Sequence, residues 1–383
     1  MRTNASRAFL LFAASAACAR AGVCVETDLR GQLSFWLAAH DRPAREAALG
    51  VRYIPVLSFK SDLGRGAGLD AEASFNVYGA AQGASLGSLA TSGKARPYRL
   101  WVRFSTARFE ARAGLQKINF GSAMLLRPLM WFDRIDPNDP LQLTDGVTGL
   151  LLKYTFLDNA NIWLWGLIDN DQTKGWETVP SNRTSPEFGG RVQLPAFSGE
   201  LALTYHHRLL DTARSLVPLP PGEKASVSED RLGFDGKWDI GPGVWIEAVL
   251  ARQDYLLYPL RWQKMINVGL DYTFGLGNGL HLLAEHLVID ASADAWSGGE
   301  TRALSALSLD YSLGILDRLK AIAFHDWKTG DWYRFASWQR TYDRWTIYLI
   351  GFWNPDRYQI YAGSRSSNLF AGKGLQITVA FNH

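Results

Sequence analysis

Cysteine is nearly absent from this 383-residue chain, which holds only Cys18 and Cys24. Cys18 lies in an N-terminal segment with the marks of a cleaved leader, so Cys24 is left alone and no internal disulfide is expected. Long apolar runs are missing too. No stretch of about 18 apolar residues occurs, which excludes a membrane-spanning helix. The longest run, "AFLLFAASAACA" (Ala8 to Ala19), is too short to span. The motifs G-x-x-x-x-G-K-[ST], C-x-x-C and H-E-x-x-H do not occur. Charge of one sign is also lacking. The formal charge of +3 falls to zero once the three arginines of the leader, Arg2, Arg7 and Arg20, are removed. A neutral chain gives no global case for nucleic acid as a partner.

The leader itself is legible. Arg2 and Arg7 precede the short apolar run, and Ala19-Arg20-Ala21 follows it as an A-x-A site. This is the pattern of a secretory signal peptide. Residues 1–21 are expected to be cleaved, leaving 22–383 as one domain, since no linker, repeat or low-complexity tract interrupts it.

What the chain has in abundance is alternation. Phe109, Ala111, Ala113 and Leu115 oppose Glu110, Arg112, Gly114 and Gln116. Ile266, Val268, Leu270, Tyr272 and Phe274 oppose Asn267, Gly269, Asp271 and Thr273. Period-two segments of about 9–12 residues recur along the chain, longer than the usual five or six of globular strands. Tight turns, such as Thr106-Ala107, "IGPG" (240–243) and "TYD" (341–343), alternate with longer connections at 80–96, 118–146, 169–186, 209–229, 252–261, 290–302 and 354–372. Short turns at one end and long loops at the other mark an outer-membrane β-barrel. Lipid offers no hydrogen-bond partners, so a spanning sheet must close on itself. The expected fold is therefore all-β: a transmembrane antiparallel up-and-down barrel in the bacterial outer membrane, with 18 strands, or 16 as the alternative. "DRYQIYAG" (Asp356 to Gly363) is assigned to the last loop, because counting it as a strand would make the total odd.

Charges on the polar faces of these strands must look into water inside. Arg99, Arg103, Arg112 and Arg191 lie on neighbouring early strands and suggest a basic pore wall, with Glu110 among them. Aromatics at strand ends (Phe35, Trp36, Tyr98, Trp101, Trp163, Trp165, Trp345, Trp353) fit either interfacial girdles or stacking platforms in the lumen. His206 and His207 are adjacent on a strand, point to opposite faces and cannot chelate one metal together. No metal site, cofactor or catalytic residue is expected, and the chain is not read as an enzyme.

The connection at 118–146 stands apart. "AMLLRPLMWF" is too apolar to extend into water, and it is expected to fold inward as a short helix kinked at Pro128. "DRIDPNDP" then brings Asp133, Arg134, Asp136 and Asp139 to the pore, beside Arg127. The "DPNDP" carboxylates could alternatively hold Ca²⁺, and the loop could plug or cap the barrel instead.

In strand count and in the position and length of this loop, the chain resembles general bacterial porins, whose third loop folds into the barrel. "GLQKINFG" followed by "RPLMWFDRIDPNDP" is also similar to a pattern of porin-like families that include relatives of alginate-export barrels. The resemblance implies passive diffusion of small hydrophilic solutes or ions past an acidic loop facing a basic wall, with outer-membrane lipid around the barrel. A homo-oligomer is left open. The alternative is a sleeve or export conduit for a protein, cytochrome or polysaccharide. The chain departs from the usual barrel ending in closing on His383, with Phe381 two residues earlier.

Overall fold

The computed structural model describes residues 25–41, 47–83, 90–356, 360 and 370–383. The expected leader, the cleavage point and most of "DRYQIYAG" lie outside the described residues. Eighteen strands form one sheet. They are β1 (Val25–His40), β2 (Ala47–Gly64), β3 (Ala67–Gly83), β4 (Ala90–Ser105), β5 (Phe109–Gln116), β6 (Val147–Thr155), β7 (Asn161–Leu167), β8 (Glu187–Ala196) and β9 (Gly199–Asp211). The second half holds β10 (Ser226–Asp239), β11 (Gly243–Gln253), β12 (Trp262–Phe274), β13 (Leu280–Ser292), β14 (Glu300–Ser312), β15 (Asp317–Asp326), β16 (Trp332–Thr341), β17 (Trp345–Trp353) and β18 (Lys373–Asn382).

Every strand pairs antiparallel with its neighbours in sequence, and β1 also pairs with β18, from Gln32↔Asn382 to His40↔Gly374. The sheet is thus closed and presents no edge. His383 extends the seam: its N–H donates to the Gly31 carbonyl, and the Gly31 N–H donates back, both at 3.0 Å. The His383 ring lies against Tyr53 and contacts its hydroxyl at 3.0 Å, so the terminal residue is part of the closure.

Alternation explains which face each residue takes. On β12, Ile266, Val268, Leu270, Tyr272 and Phe274 are exposed on the outside, while Met265 and Asn267 are buried within. On β17, Leu349 is outward and Ile350 and Phe352 are inward. The exposed apolar residues make a belt around the barrel, and the buried polar residues line its interior. Among the described residues no helix is long and apolar enough to cross a membrane; the crossing is made by strands.

The long connections fall where the sequence puts them, with two informative differences. The connection expected at 80–96 is mostly strand, since β3 runs to Gly83 and β4 starts at Ala90. Likewise β9 and β10 take the two ends of 209–229, to Asp211 and from Ser226. In the first segment small and polar residues such as Ala80, Gln82, Thr91 and Ser92 replace the large apolar ones, and the alternation that reveals a strand fades there. Pro97, which cannot donate to a ladder, sits at a register shift opposite Ser74 and Phe75. The turn between β2 and β3 is tight at Arg65 and Gly66, both with positive φ, flanked by Gly64.

Placing charge on the outer belt tests this assignment. Leu203, in the middle of β9 and 62% exposed, should tolerate arginine poorly. Leu203→Arg is expected to lower unfolding stability by about 2–4 kcal/mol in lipid, read from denaturant titration of heat-modifiable gel mobility. A change near zero would mean that this face does not meet hydrocarbon.

Candidate functional site: the barrel interior

The interior is shaped by the connection between β5 and β6. This segment has no ladder of its own, so its backbone N–H groups need other acceptors. They find them on inward-facing positions of β11 and β13. The Ala123 and Leu129 N–H groups donate to Glu247, at 2.7 and 3.3 Å. Those of Met124, Leu125 and Leu126 donate to Glu285, at 2.6, 3.1 and 2.5 Å. Asn267 on β12 completes the contact by donating to the Leu126 carbonyl at 2.7 Å. Gly121 has φ of +90°, and a Cβ there would collide with the Glu247 carboxylate.

The apolar part of the segment is buried as deeply as a globular core. Leu126, Leu129, Met130, Trp131 and Phe132 are nearly inaccessible and pack with Trp165, Trp245 and Leu287 of the wall. No helix forms, contrary to the expectation of a short one kinked at Pro128. The chain turns at Arg127–Met130 instead, with the Met130 N–H on the Arg127 carbonyl. The physical reason is that Pro128 lacks a donor and that Glu247 and Glu285 take the N–H groups a helix would use.

Arg127 and Asp133 brace this segment. They form a forked pair, both bonds 3.0 Å, with both side chains buried. Asn119 also accepts from Arg127, and Trp176 of the next long connection donates to the Arg127 carbonyl at 2.9 Å. Arg127 and Asp133 are therefore neutralised and enclosed. Neither is among the residues lining the opening described below.

The second limb, residues 134–145, is different. It faces the inner surface of β1 to β4 across an opening of about 400 Å³. The wall contributes Trp36, Arg52, Tyr78, Arg96 and Tyr98, and the limb contributes Arg134, Asp136, Asp139 and Asp145. Arg96 pairs with Asp145 at 2.7 and 2.9 Å. Asp139 accepts the Leu141 and Leu143 N–H groups at 3.0 and 3.4 Å. Its burial raises its pKa above the usual aspartate range, against the pull of these N–H groups and of Arg52. Asp136 accepts from the Asn138 N–H and side chain at 2.9 and 3.0 Å. The "DPNDP" carboxylates are thus turned to separate backbone and amide donors, and no cluster of metal-ligating side chains occurs among the described residues.

The early-strand arginines do not share one surface. Arg99 donates to the Thr144 carbonyl at 3.0 Å and lies over the Tyr98 ring, which ties the limb to the wall. Arg103 pairs with Asp70 at 2.7 Å and more loosely with Glu110, and Arg112 pairs with Glu110 at 2.8 Å. Arg191 is buried with Asp235, at 2.5 and 2.8 Å, over the Phe120 ring. The cations that look across the opening at the acidic limb are Arg52 and Arg96. Arg52 was available to sequence reasoning from the alternation in β2. Arg96 was hidden because the segment holding it reads as loop.

The aromatics divide between the two readings of the sequence. Phe35, Trp345 and Trp353 are exposed on the outside. Trp36, Trp101, Trp163 and Trp165 are inside: Arg52 lies over Trp36, Arg112 over Trp101 and Lys153 over Trp163. Trp165 donates to His206 Nδ1 at 3.2 Å, and His206 Nε2 meets Glu187 at 3.1 Å. His207, on the opposite face, meets Asp230 at 2.8 Å. The connection between β7 and β8 is held by Glu177, whose carboxylate pairs with Arg208 at 3.0 Å and Arg231 at 2.8 Å. Near it Lys174 is pushed down to about 8 by burial, with Arg134 adding to the effect.

An edge-free barrel with an apolar outer belt and a charged, partly filled interior defines a β-barrel of the outer-membrane type. No family model matches the sequence, and a search of curated proteins found no match. Solved structures do match. Pseudomonas aeruginosa OccK5 (OpdH) aligns over 93% of this chain and 98% of its own, with a TM-score of 0.55 and 12% identity. Acinetobacter baumannii OccAB1 aligns over 94% of this chain and 95% of its own, with a TM-score of 0.56 and 10% identity. OmpT of Vibrio cholerae, an outer membrane protein in trimer form, aligns over 94% and 99%, with a TM-score of 0.51 and 12% identity. At such identities the likeness is one of fold.

The wall carboxylates can be tested directly. Glu285→Leu removes the carboxylate that accepts from the Met124, Leu125 and Leu126 N–H groups, at about 1–3 kcal/mol for a buried donor that loses its acceptor. Hydrogen exchange at residues 124–126 should accelerate by at least about tenfold relative to the wild type. Unchanged protection would show that apolar packing alone holds the segment.

Proposed function

We propose that the protein is a porin-type channel for passive diffusion of small hydrophilic solutes, with the 118–146 connection as its constriction. One observation carries this reading: the space left beside the 134–145 limb is lined by net charge of opposite sign on its two sides. Arg52 and Arg96 stand on the wall, and Asp136, Asp139 and Asp145 on the limb, where they outweigh the one cation, Arg134. A hydrated solute in a space of this size lies within a Debye length, about 8–10 Å, of both sets and feels a transverse field. In this reading Arg127 and Asp133 brace the constriction, Arg134, Asp136 and Asp139 border it, and Arg99 anchors it. Arg103, Glu110, Arg112 and Arg191 form the wall below and behind. A sleeve for a folded partner is less well supported, because the apolar limb occupies the interior and is bonded to the far wall.

Purified protein in planar bilayers should give steady conductance, and its absence would remove the channel reading. Excising residues 134–144 should raise single-channel conductance, whereas an unchanged value would make the connection a cap. Selectivity supplies a second test. Asp139→Asn should move the reversal potential in a salt gradient toward anions, and Arg52→Gln toward cations. Because the Asp139 pKa is raised, acidification should protonate it before an ordinary aspartate. Lowering the pH from about 7 to about 5 should therefore shift the wild type toward anions more than it shifts Asp139→Asn. Equal shifts in both proteins would exclude Asp139 from the pore.

A further inference from the structure

The outer belt is apolar over most of its height, and the charges that face outward near its extracellular end on β9 to β13 pair with one another, His207 with Asp230 and Lys264 with Asp290, both at 2.8 Å. On its extracellular half, between β13 and β17, a group of polar and cationic side chains faces outward. His286, Ser305, His325 and Trp332 are direct ladder partners on β13 to β16. Arg334 follows two residues after Trp332 on the same face and pairs with Trp353 of β17. All lie in the register of outward-facing residues such as Leu307 and Leu349, while the intervening Tyr333 and Phe335 are buried inside.

Depth follows from β17. Trp345 and Trp353 bracket the outward residues Ile347, Leu349 and Gly351. Eight residue steps at about 3.3 Å, on a strand tilted by about 40°, rise roughly 20 Å, close to the height of an apolar band. Trp345 therefore marks the periplasmic boundary and Trp353 the extracellular one, where tryptophans concentrate. Arg334, level with Trp353, sits at headgroup depth.

The guanidinium there has no anionic partner among the described residues; its recorded neighbour is the Trp332 ring, 5.6 Å away. His325 is wedged between Trp327 and Trp332, at 4.7 and 4.5 Å, and its Nδ1 has no hydrogen-bond partner among the described residues. Ser305 accepts from Trp327 Nε1 at 2.9 Å and meets His286 Nδ1 at 2.8 Å, which fixes the two rings. Toward the membrane centre lies a row of small residues, Ala321, Ala336 and Gly351, paired with one another and flanked by Leu309 and Leu375. A Cβ added to Gly351 would meet nothing closer than 3.6 Å, so the surface is recessed there.

We propose that this face is a binding site for one phosphorylated lipid of the extracellular leaflet, with its phosphate on Arg334, beside the enclosed ring of His325, and an acyl chain along Ala321, Ala336 and Gly351. The fork of an arginine matches a phosphate, and an arginine left unpaired beside hydrocarbon gains most from such a partner. The recess gives the attached chain contact that a flat belt would not. Both halves are continuous with the lipid-facing surface, so the ligand reaches them by lateral diffusion.

Native mass spectrometry of the folded protein in mild detergent, titrated with diphosphorylated lipid A and with its phosphate-free form, tests the site. The wild type should bind the phosphorylated lipid at least about tenfold more tightly than the phosphate-free one, the scale of a charge-assisted hydrogen bond. Arg334→Gln should erase that preference. Ala336→Trp, which keeps the cation and fills the recess, should weaken both lipids alike. Heat-modifiable gel mobility confirms that each variant is folded. Inorganic phosphate at millimolar concentration should not compete; competition would mean a site for free anion. Equal affinity for the two lipids, or an unchanged preference in Arg334→Gln, would overturn the proposal.

Discussion

Backbone hydrogen bonding without water is the constraint from which the rest of this structure follows. Around the outside it forces closure, and the seam from Gln32↔Asn382 to His40↔Gly374, extended by His383, leaves no open edge. Inside, the same constraint acts on the connection between β5 and β6. That segment leaves the wall and is buried, so its N–H groups cannot rely on solvent. Glu247 and Glu285 accept from them, and Asn267 donates to the Leu126 carbonyl. The carboxylates are not lining a channel in the ordinary sense; they replace a missing strand.

This division of labour explains why the interior is charged but not uniformly so. Where the connection is apolar, wall and loop form a dry core, with Trp131 and Phe132 against His206 and Trp165. Buried cations there are paired, as Arg191 is with Asp235 and Arg208 with Glu177 and Glu229. Unpaired burial would cost several kcal/mol. Where the connection turns polar, at Arg134, the core ends and the opening begins. The change of composition inside one loop thus sets the boundary between the packed core and the opening beside it.

The barrel was legible in the sequence because its signal is repeated: each strand must show apolar residues to lipid and polar ones inward, and eighteen strands average out the exceptions. The inward turn of 118–146 was legible from composition, since "AMLLRPLMWF" has no place in water. Its conformation was not. A helix is the default for an apolar run read in isolation, and the acceptors that override it, Glu247 and Glu285, lie more than a hundred residues away. The inward-facing cations were misjudged for a related reason. Arg103 was visible as a polar-face residue, yet its neutralisation by Asp70 and Glu110 depends on cross-strand register. Arg96 was lost to a segment whose alternation fades above the belt.

The outward cluster on β13 to β16 shows how register changes the meaning of a residue. His286 and His325 read singly as scattered histidines. Only the ladder, which sets them level with Ser305 and Trp332 on the lipid side, makes them one group. Exposure of an apolar residue on such a surface carries little information, because most of the belt is apolar. A cation there is informative, because hydrocarbon would exclude it and the headgroup layer would not. Arg334 is bounded below by Ala336 and beside by Trp353, so its depth is fixed by residues that themselves report the membrane boundary. The same logic that assigns Glu110 and Arg112 to water inside the barrel assigns Arg334 to the headgroups outside it.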